Sequence, residues 1–327
     1  MKFRAFALAL SAGLCLFAAR TCRADPTGSF HRTYTVTGAV TLEVVTGAGS
    51  IHVTGTPGSV VTVDGTIHEG FGLFGGSDPN TIRTIENNPP VEQTGNTINV
   101  HGLHLGWNSH IWISYVITTP PNTQVTAHAG SGDIDVAGLT GSAELGTGSG
   151  DVQVADLGGN LRAGTGSGEI RFDHVGGSAR FSTGSGSIEG NEVGGRFSAN
   201  TGSGDVRVRA LQEGGEIHTA SGDQELGEVR GDLSAHAASG DIQAEGRLEG
   251  SHRWRLTTAS GEVSVSLPAQ TTANLRLETA SGRMVVNHPM RSQGEISRHS
   301  WAGVMGNGGG AGAELSVSTA SGSIHIN

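Results

Sequence analysis

Beyond residue 24 this 327-residue chain has no cysteine and no lysine, because Cys15, Cys22 and Lys2 all lie in the first 24 positions. A body without thiols cannot be stapled by disulfides or built around a cysteine-bearing zinc site, so it must be held by burial and backbone hydrogen bonds. After residue 24 there are 16 Arg against 30 Asp plus Glu, a net charge of −14. That balance argues against nucleic acid and anionic membrane surfaces as partners. Aromatic residues make up only 5% of the chain and prolines number 9. No later run approaches 18 apolar residues, so no transmembrane segment is expected downstream.

Residues 1–24 read as a signal peptide. Lys2 and Arg4 form its basic start, Ala5 to Ala19 its apolar core, and Cys22-Arg23-Ala24 a small-x-small cleavage site. The apolar core is too short to span a bilayer. The sequence therefore predicts an exported protein, secreted or held at the cell surface or in the periplasm, with a mature start near Asp25. Leu14 before Cys15 and Thr21 before Cys22 speak against lipid attachment, which favours a small residue there.

What the chain does have is glycine, 54 residues of it, placed as punctuation. Ser-Gly pairs begin at Ser131, Ser149, Ser167, Ser185, Ser203, Ser221 and Ser239, a strict 18-residue interval. Each unit carries two apolar pairs spaced by two, such as Ile170/Phe172 after the turn and Ala179/Phe181 before the next one. A further apolar residue lies between them (Leu157, Val175, Val193, Leu211, Val229), and Gly-Gly turns such as Gly158-Gly159 follow it. Period-two alternation means short strands with one inward face, and a repeat of 20 residues or slightly less means a solenoid. One coil cannot bury enough to fold alone, so the coils must stack.

The position between the inward residues runs Arg171, Glu189, Arg207, Glu225 in successive coils. In-register stacking would set opposite charges side by side up the sheet. Thr147, Thr165, Thr183, Thr201 and Thr219 form a second column beside the turn. The period loosens afterwards: Ser239, Ser260 and Ser281 are 21 apart and Ser321 follows 40 later, which predicts longer coils towards the C-terminus, two of them within the last interval. Thr46 to Val53 is a worn copy of the turn, so residues 25–125 read as an N-terminal β region with a first coil and a short helix from Asp78 to about Asn87, capping a repeat array at 126–327.

Candidate sites are few. The residue after Ser-Gly is acidic in most coils (Asp133, Asp151, Glu169, Asp205, Asp223, Asp241, Glu262), which invites comparison with calcium-binding β-rolls. The acid follows Gly directly and has no counterpart in the second half-coil, so turn hydrogen bonding explains it better. His101, His104 and His110 share a segment, yet a strand there would point the first two to opposite faces. No metal or other cofactor is predicted. Phe71 and Phe74, set among glycines, and Trp254 and Trp301, expected on late-coil loops, are the candidate ligand contacts, with packing as the plainer explanation for each. No nucleophile–base grouping stands out, and no catalytic residue is assigned.

The stretch from Ile113 to Val136, with Pro120-Pro121 and the repeated Gly-Ser-Gly-Asp-Ile units that follow, resembles the bacterial adhesin-like β-strand-repeat family and the related head domain named for its Gly-Ile-Asn motif. The resemblance spans roughly residues 35–327. It implies an all-β, single-stranded right-handed β-helix and brings no catalytic or ligand residue with it. The reading is a non-enzymatic, exported, adhesin-like interaction module whose partner is a glycan or a cell-envelope component. The alternative is a passive envelope scaffold or end-to-end filament former, with a carbohydrate-active β-helix enzyme third. Ser323 to Asn327 reads as an uncapped terminal strand, which leaves end-to-end association open.

Overall fold

The computed structural model describes residues 26–70, 79–103, 110–292, 297–306 and 312–327. Its strands form a 14-stranded sheet (sheet A) and a 15-stranded sheet (sheet B). Each coil contributes one strand to each, so this β-solenoid has two faces. Parallel pairing runs 18 residues apart through the array: Val152 faces Ile170, Ile170 faces Ile188 and Ile188 faces Val206 in sheet A. In sheet B, Leu161 faces Ala179 and Ala179 faces Phe197.

The expected inward pairs form the core. Ile170 and Phe172 are buried while Arg171 between them is exposed, and Leu157, Val175, Val193, Leu211 and Val229 are all sealed from solvent. Phe172, Phe181 and Phe197 make an aromatic cluster with centroids 4.6 to 6.2 Å apart. Gly190, a weak copy of the repeat by sequence, lacks a side chain because the Phe172 ring of the neighbouring coil fills that space. Gln224 occupies another inward position, and its amide nitrogen donates to Thr219 Oγ1 at 3.0 Å and to the His236 carbonyl at 2.7 Å.

The threonine column is buried, which fixes its role. Thr165 Oγ1 donates to the Gly150 carbonyl of the preceding coil at 2.9 Å and accepts the Gly168 amide of its own turn at 3.0 Å. Thr147, Thr183 and Thr201 repeat both bonds. Each hydroxyl satisfies two backbone groups that the tight Ser-Gly turn would otherwise leave unpaired.

A second periodic device is backbone strain. Asp156, His174, Glu192, Ala210 and Glu228 all lie at φ between 51° and 55°, each just before the buried Leu or Val that ends its sheet A strand, and Gly138 (φ 71°) starts the series. The left-handed residue inserts an extra position that bends the chain out of sheet A towards the next turn. Non-glycine residues hold this conformation because coil stacking on both sides dictates it.

Chain order and stacking order differ at both ends. The first coil, 40–55, lies between coil 97–119 and coil 123–139: Val44 faces Val100 on one side and Ala127 on the other. The last coil, 314–326, lies between coil 253–266 and coil 273–286, with Leu315 facing Trp254 and Leu275. Two sequence expectations are corrected by this. The interval from Ser281 to Ser321 holds not two longer coils but an antiparallel excursion (Met290–Ser292 and Ser300–Met305) followed by the inserted coil. Ser323 to Asn327 is not an uncapped edge either, since Ile324–Ile326 is paired to Val263–Ser266 and to Met284–Val286.

The outer edges are short or covered. At the C-terminal end they are the three-residue strands Met284–Val286 and Met290–Ser292. At the other end the helix Pro79–Asn87 lies against Pro26–Thr35, where Glu86 Oε1 accepts the Ser29 amide at 3.1 Å and Arg32 donates to the carbonyls of Glu86 and Asn87. Twelve coils at about 4.8 Å each give a stack of about 55 Å.

Candidate binding surface

The outward residues of sheet A follow the strand register in two columns. One runs His52, Asp135, Gln153, Arg171, Glu189, Arg207, Glu225, Gln243 and Ser264. The other runs Ala137, Ala155, Asp173, Asn191, Arg209 and Gly227, small at three of these six positions. Small residues beside long charged ones leave hollows. A depression of 560 Å³ spans the coils from His52 to Asn191, and one of 540 Å³ continues to Ser266. They share Glu189 and Gly190. A third, of 420 Å³, shares Glu228, Glu245 and Ser266 with the second. The result is one trough along nine coils, about 38 Å long at the inter-strand spacing.

Its charges are ordered in ladders. Arg207 reaches Glu189 at 3.3 Å, Glu225 at 3.9 Å and Asp205 at 2.7 Å. The expected Arg171–Glu189 register is present, but Arg171 turns its guanidinium to Glu169, two residues back on its own coil. Burial pushes the Glu169 carboxyl up, against the pull of Arg171. At the N-terminal end His52 Nδ1 meets Asp135 Oδ2 at 2.6 Å, and that hydrogen bond holds the imidazole pKa above its ordinary value despite partial burial. The other Asp135 oxygen is buried and has no partner among the described residues.

The acidic column after Ser-Gly forms a seam beside the trough. Asp133 Oδ1 accepts the Asp151 amide at 2.9 Å, Asp151 the Glu169 amide at 2.8 Å, Asp205 the Asp223 amide at 2.9 Å, and Asp223 the Asp241 amide at 2.8 Å. The sequence reading put these bonds within the acid's own turn; they cross to the next coil, so the column ties neighbours together. Among the described residues no group of three or more His, Cys, Asp or Glu is arranged to hold a metal ion.

Sheet B offers a different face. A hollow of 810 Å³ is lined by Ser182, Asn200, His218, His236 and the threonine column from Thr165 to Thr219. The two imidazoles stack at 5.2 Å, and His218 Nε2 lies 3.1 Å from Glu216 Oε1. That bond holds the Glu216 carboxyl down, while burial lowers the His236 pKa.

Trp254 and Trp301 do not converge on either face. Trp254 is not on a loop: it is an inward residue of Arg253–Ser260, 1% exposed, with its indole N–H donated to the Gly231 carbonyl at 3.0 Å. A ring so placed cannot stack on a ligand. Trp301 is half-buried in Ser300–Met305 and packs against the core. Phe71 and Phe74 lie outside the described residues, as does His104; His101 is exposed, 3.6 Å from Glu92.

Sequence reasoning missed the trough because the column beside the ladder, from Ala137 and Ala155 through Asp173, Asn191, Arg209 and Gly227, shares no side-chain chemistry. The available signal was the residue two places after each Arg/Glu ladder position.

The Toastrack DUF4097 family model, of a domain of unknown function, matches residues 35–327, which takes in both faces and both interdigitated ends. The chain belongs to the Toastrack family. No curated protein matches this Toastrack chain. A solved structure of a proposed cell adhesion protein from Clostridium sporogenes ATCC 15579 is similar at 13% identity, covering 91% of this chain and 98% of that one with a TM-score of 0.28. Superposition that loose leaves the reading of this Toastrack surface to its own residues.

Proposed function

We propose that the protein is a non-enzymatic, exported interaction module, adhesin-like in use, working at the cell surface or in the periplasm. The trough on sheet A is its binding surface, and its ligand is an extended, hydroxyl-rich polymer: a glycan or a cell-envelope component. The observation that carries this reading is the continuity of the trough over nine coils, which suits a linear ligand rather than a compact one. Alternating Arg, Glu, Gln and Asn along it offer donors and acceptors at every coil, as hydroxyl-bearing chains require. Export rests on the leader-like residues 1–24. The filament alternative loses its main support, because the C-terminal strand is paired on both sides.

Binding of the purified protein to an array of glycans and envelope components tests the reading. Capture of a linear polymer, lost when Ala137 and Ala155 are both changed to Arg to fill the hollow, is the expected result. Capture that survives the filled trough would move the site elsewhere, and catalytic turnover of a captured polymer would end the non-enzymatic reading.

A further inference from the structure

At the C-terminal end of the stack, where the trough ends, the last coil occupies a slot whose walls precede it in the chain. Glu314–Ser321 makes seven register pairs with Arg253–Ser260 and seven with Ala273–Ser281, and Ile324–Ile326 makes three with each neighbour in sheet A. Both walls are therefore synthesised before the strand pair that separates them. They also share one register through it: Trp254 and Leu275 both face Leu315, Ser260 and Ser281 both face Ser321, and Val263 and Met284 both face Ile324. Each of these wall pairs is 21 residues apart, the spacing at which Ser239 and Ser260 stack directly.

The seams use the general bonds of the array. Thr319 Oγ1 donates to the Gly261 carbonyl at 3.2 Å and Thr279 Oγ1 to the Gly322 carbonyl at 3.2 Å, as Thr165 does to Gly150. Gly261 and Thr279 could thus meet each other without the insert. The slot can stand filled or closed on itself, and its two walls lose no type of interaction by closing.

We propose that this slot is a strand-exchange site, and that its occupant in trans is the strand pair 314–326 of a second copy of this chain. The fit is set by sequence. Leu315, Val317, Ile324 and Ile326 are fully buried between the walls, Thr319 reaches Gly261, Asn287 Nδ2 donates to Asn327 Oδ1 at 2.7 Å, and Glu314 lies 3.5 Å from Arg253 at the start of the parallel pairing. Strand addition of this kind draws affinity from backbone pairing and specificity from alternate side chains. Exchange of an identical element between copies keeps every native contact, so the trans form differs from the cis form mainly in association entropy.

The experiment pairs two full-length copies. A tagged Val317→Asp variant, whose own strand cannot stay buried, is mixed with untagged wild type. The variant should retain wild type at least tenfold more than tagged wild type does, and a synthetic peptide of residues 313–327 should compete it off. Retention of neither copy, or retention that the peptide does not displace, overturns the proposal. Should Val317→Asp fail to fold, amide hydrogen exchange on the intact wild type decides: residues 315–326 exchanging at least tenfold faster than coil 161–175 support an opening slot, and exchange in step with that coil contradicts it.

Discussion

The Phe172 ring sits where a side chain of residue 190 would be: a β-carbon on Gly190 would lie 2.3 Å from its Cε1 and Cζ atoms. One large and one absent side chain in adjacent coils thus share a single volume of core. Phe172→Ala should cost about 3–5 kcal/mol in denaturant melts, whereas Arg171→Ala, on the exposed face, should cost under about 1 kcal/mol. Gly190→Val should destabilise the wild type yet recover part of the loss in the Phe172→Ala background, a coupling that a double-mutant cycle would read.

The left-handed column yields a prediction of opposite sign. Ala210 holds φ 55°, a conformation that costs a β-carbon about 1–2 kcal/mol, more than the entropy that glycine adds to the unfolded chain. Ala210→Gly should therefore raise stability by about 0.5 kcal/mol or more, and Ala210→Val should lower it. A melt in which glycine is the worse of the two would mean that the bend is not where the strain lies.

At the turn, Thr183→Val keeps the shape and removes the hydroxyl, which leaves the Gly168 carbonyl and the Gly186 amide without their partner. The expected cost is about 1–3 kcal/mol, measured by urea unfolding, against under about 1 kcal/mol for the same change at the exposed Thr54.

His52 gives the pH dependence. Its pKa is raised, first by the hydrogen bond to Asp135, so the folded state binds the proton more tightly than the unfolded chain does. The resulting stability is fully present below the ordinary imidazole value of about 6.5 and is lost as pH rises through the raised folded value. His52→Gln should flatten the stability profile just above pH 6.5; an unchanged slope would assign it to another group.

Much of this was legible in the sequence. The 18-residue interval, the inward pairs and the Arg/Glu ladder appear because each rests on a local rule repeated from coil to coil, and the helix up to Asn87 because its start and stop signals are local to it. The order of stacking at the ends did not, and for the same reason: coils built on one rule are interchangeable partners, so the 21 residues from Ser260 to Ser281 look like those from Ser239 to Ser260 although coil 314–326 separates only the former pair. Trp254 was misplaced because its longer coil read as a loop insertion, whereas the extra residues precede the strand and leave Trp254 aligned with Leu233. The left-handed column was also hidden, because Asp156, His174, Glu192 and Ala210 share no side-chain chemistry that would have announced a common backbone state.

The body of the protein has no cysteine, so a single one can be placed on either face and blocked with a bulky maleimide. Ala155→Cys puts the block in the trough of sheet A and Ser182→Cys puts it in the hollow of sheet B. Binding to the captured polymer should be abolished by the label at residue 155 and unaffected by the label at residue 182. Loss at residue 182 with binding intact at residue 155 would place the ligand on the opposite face and contradict the account.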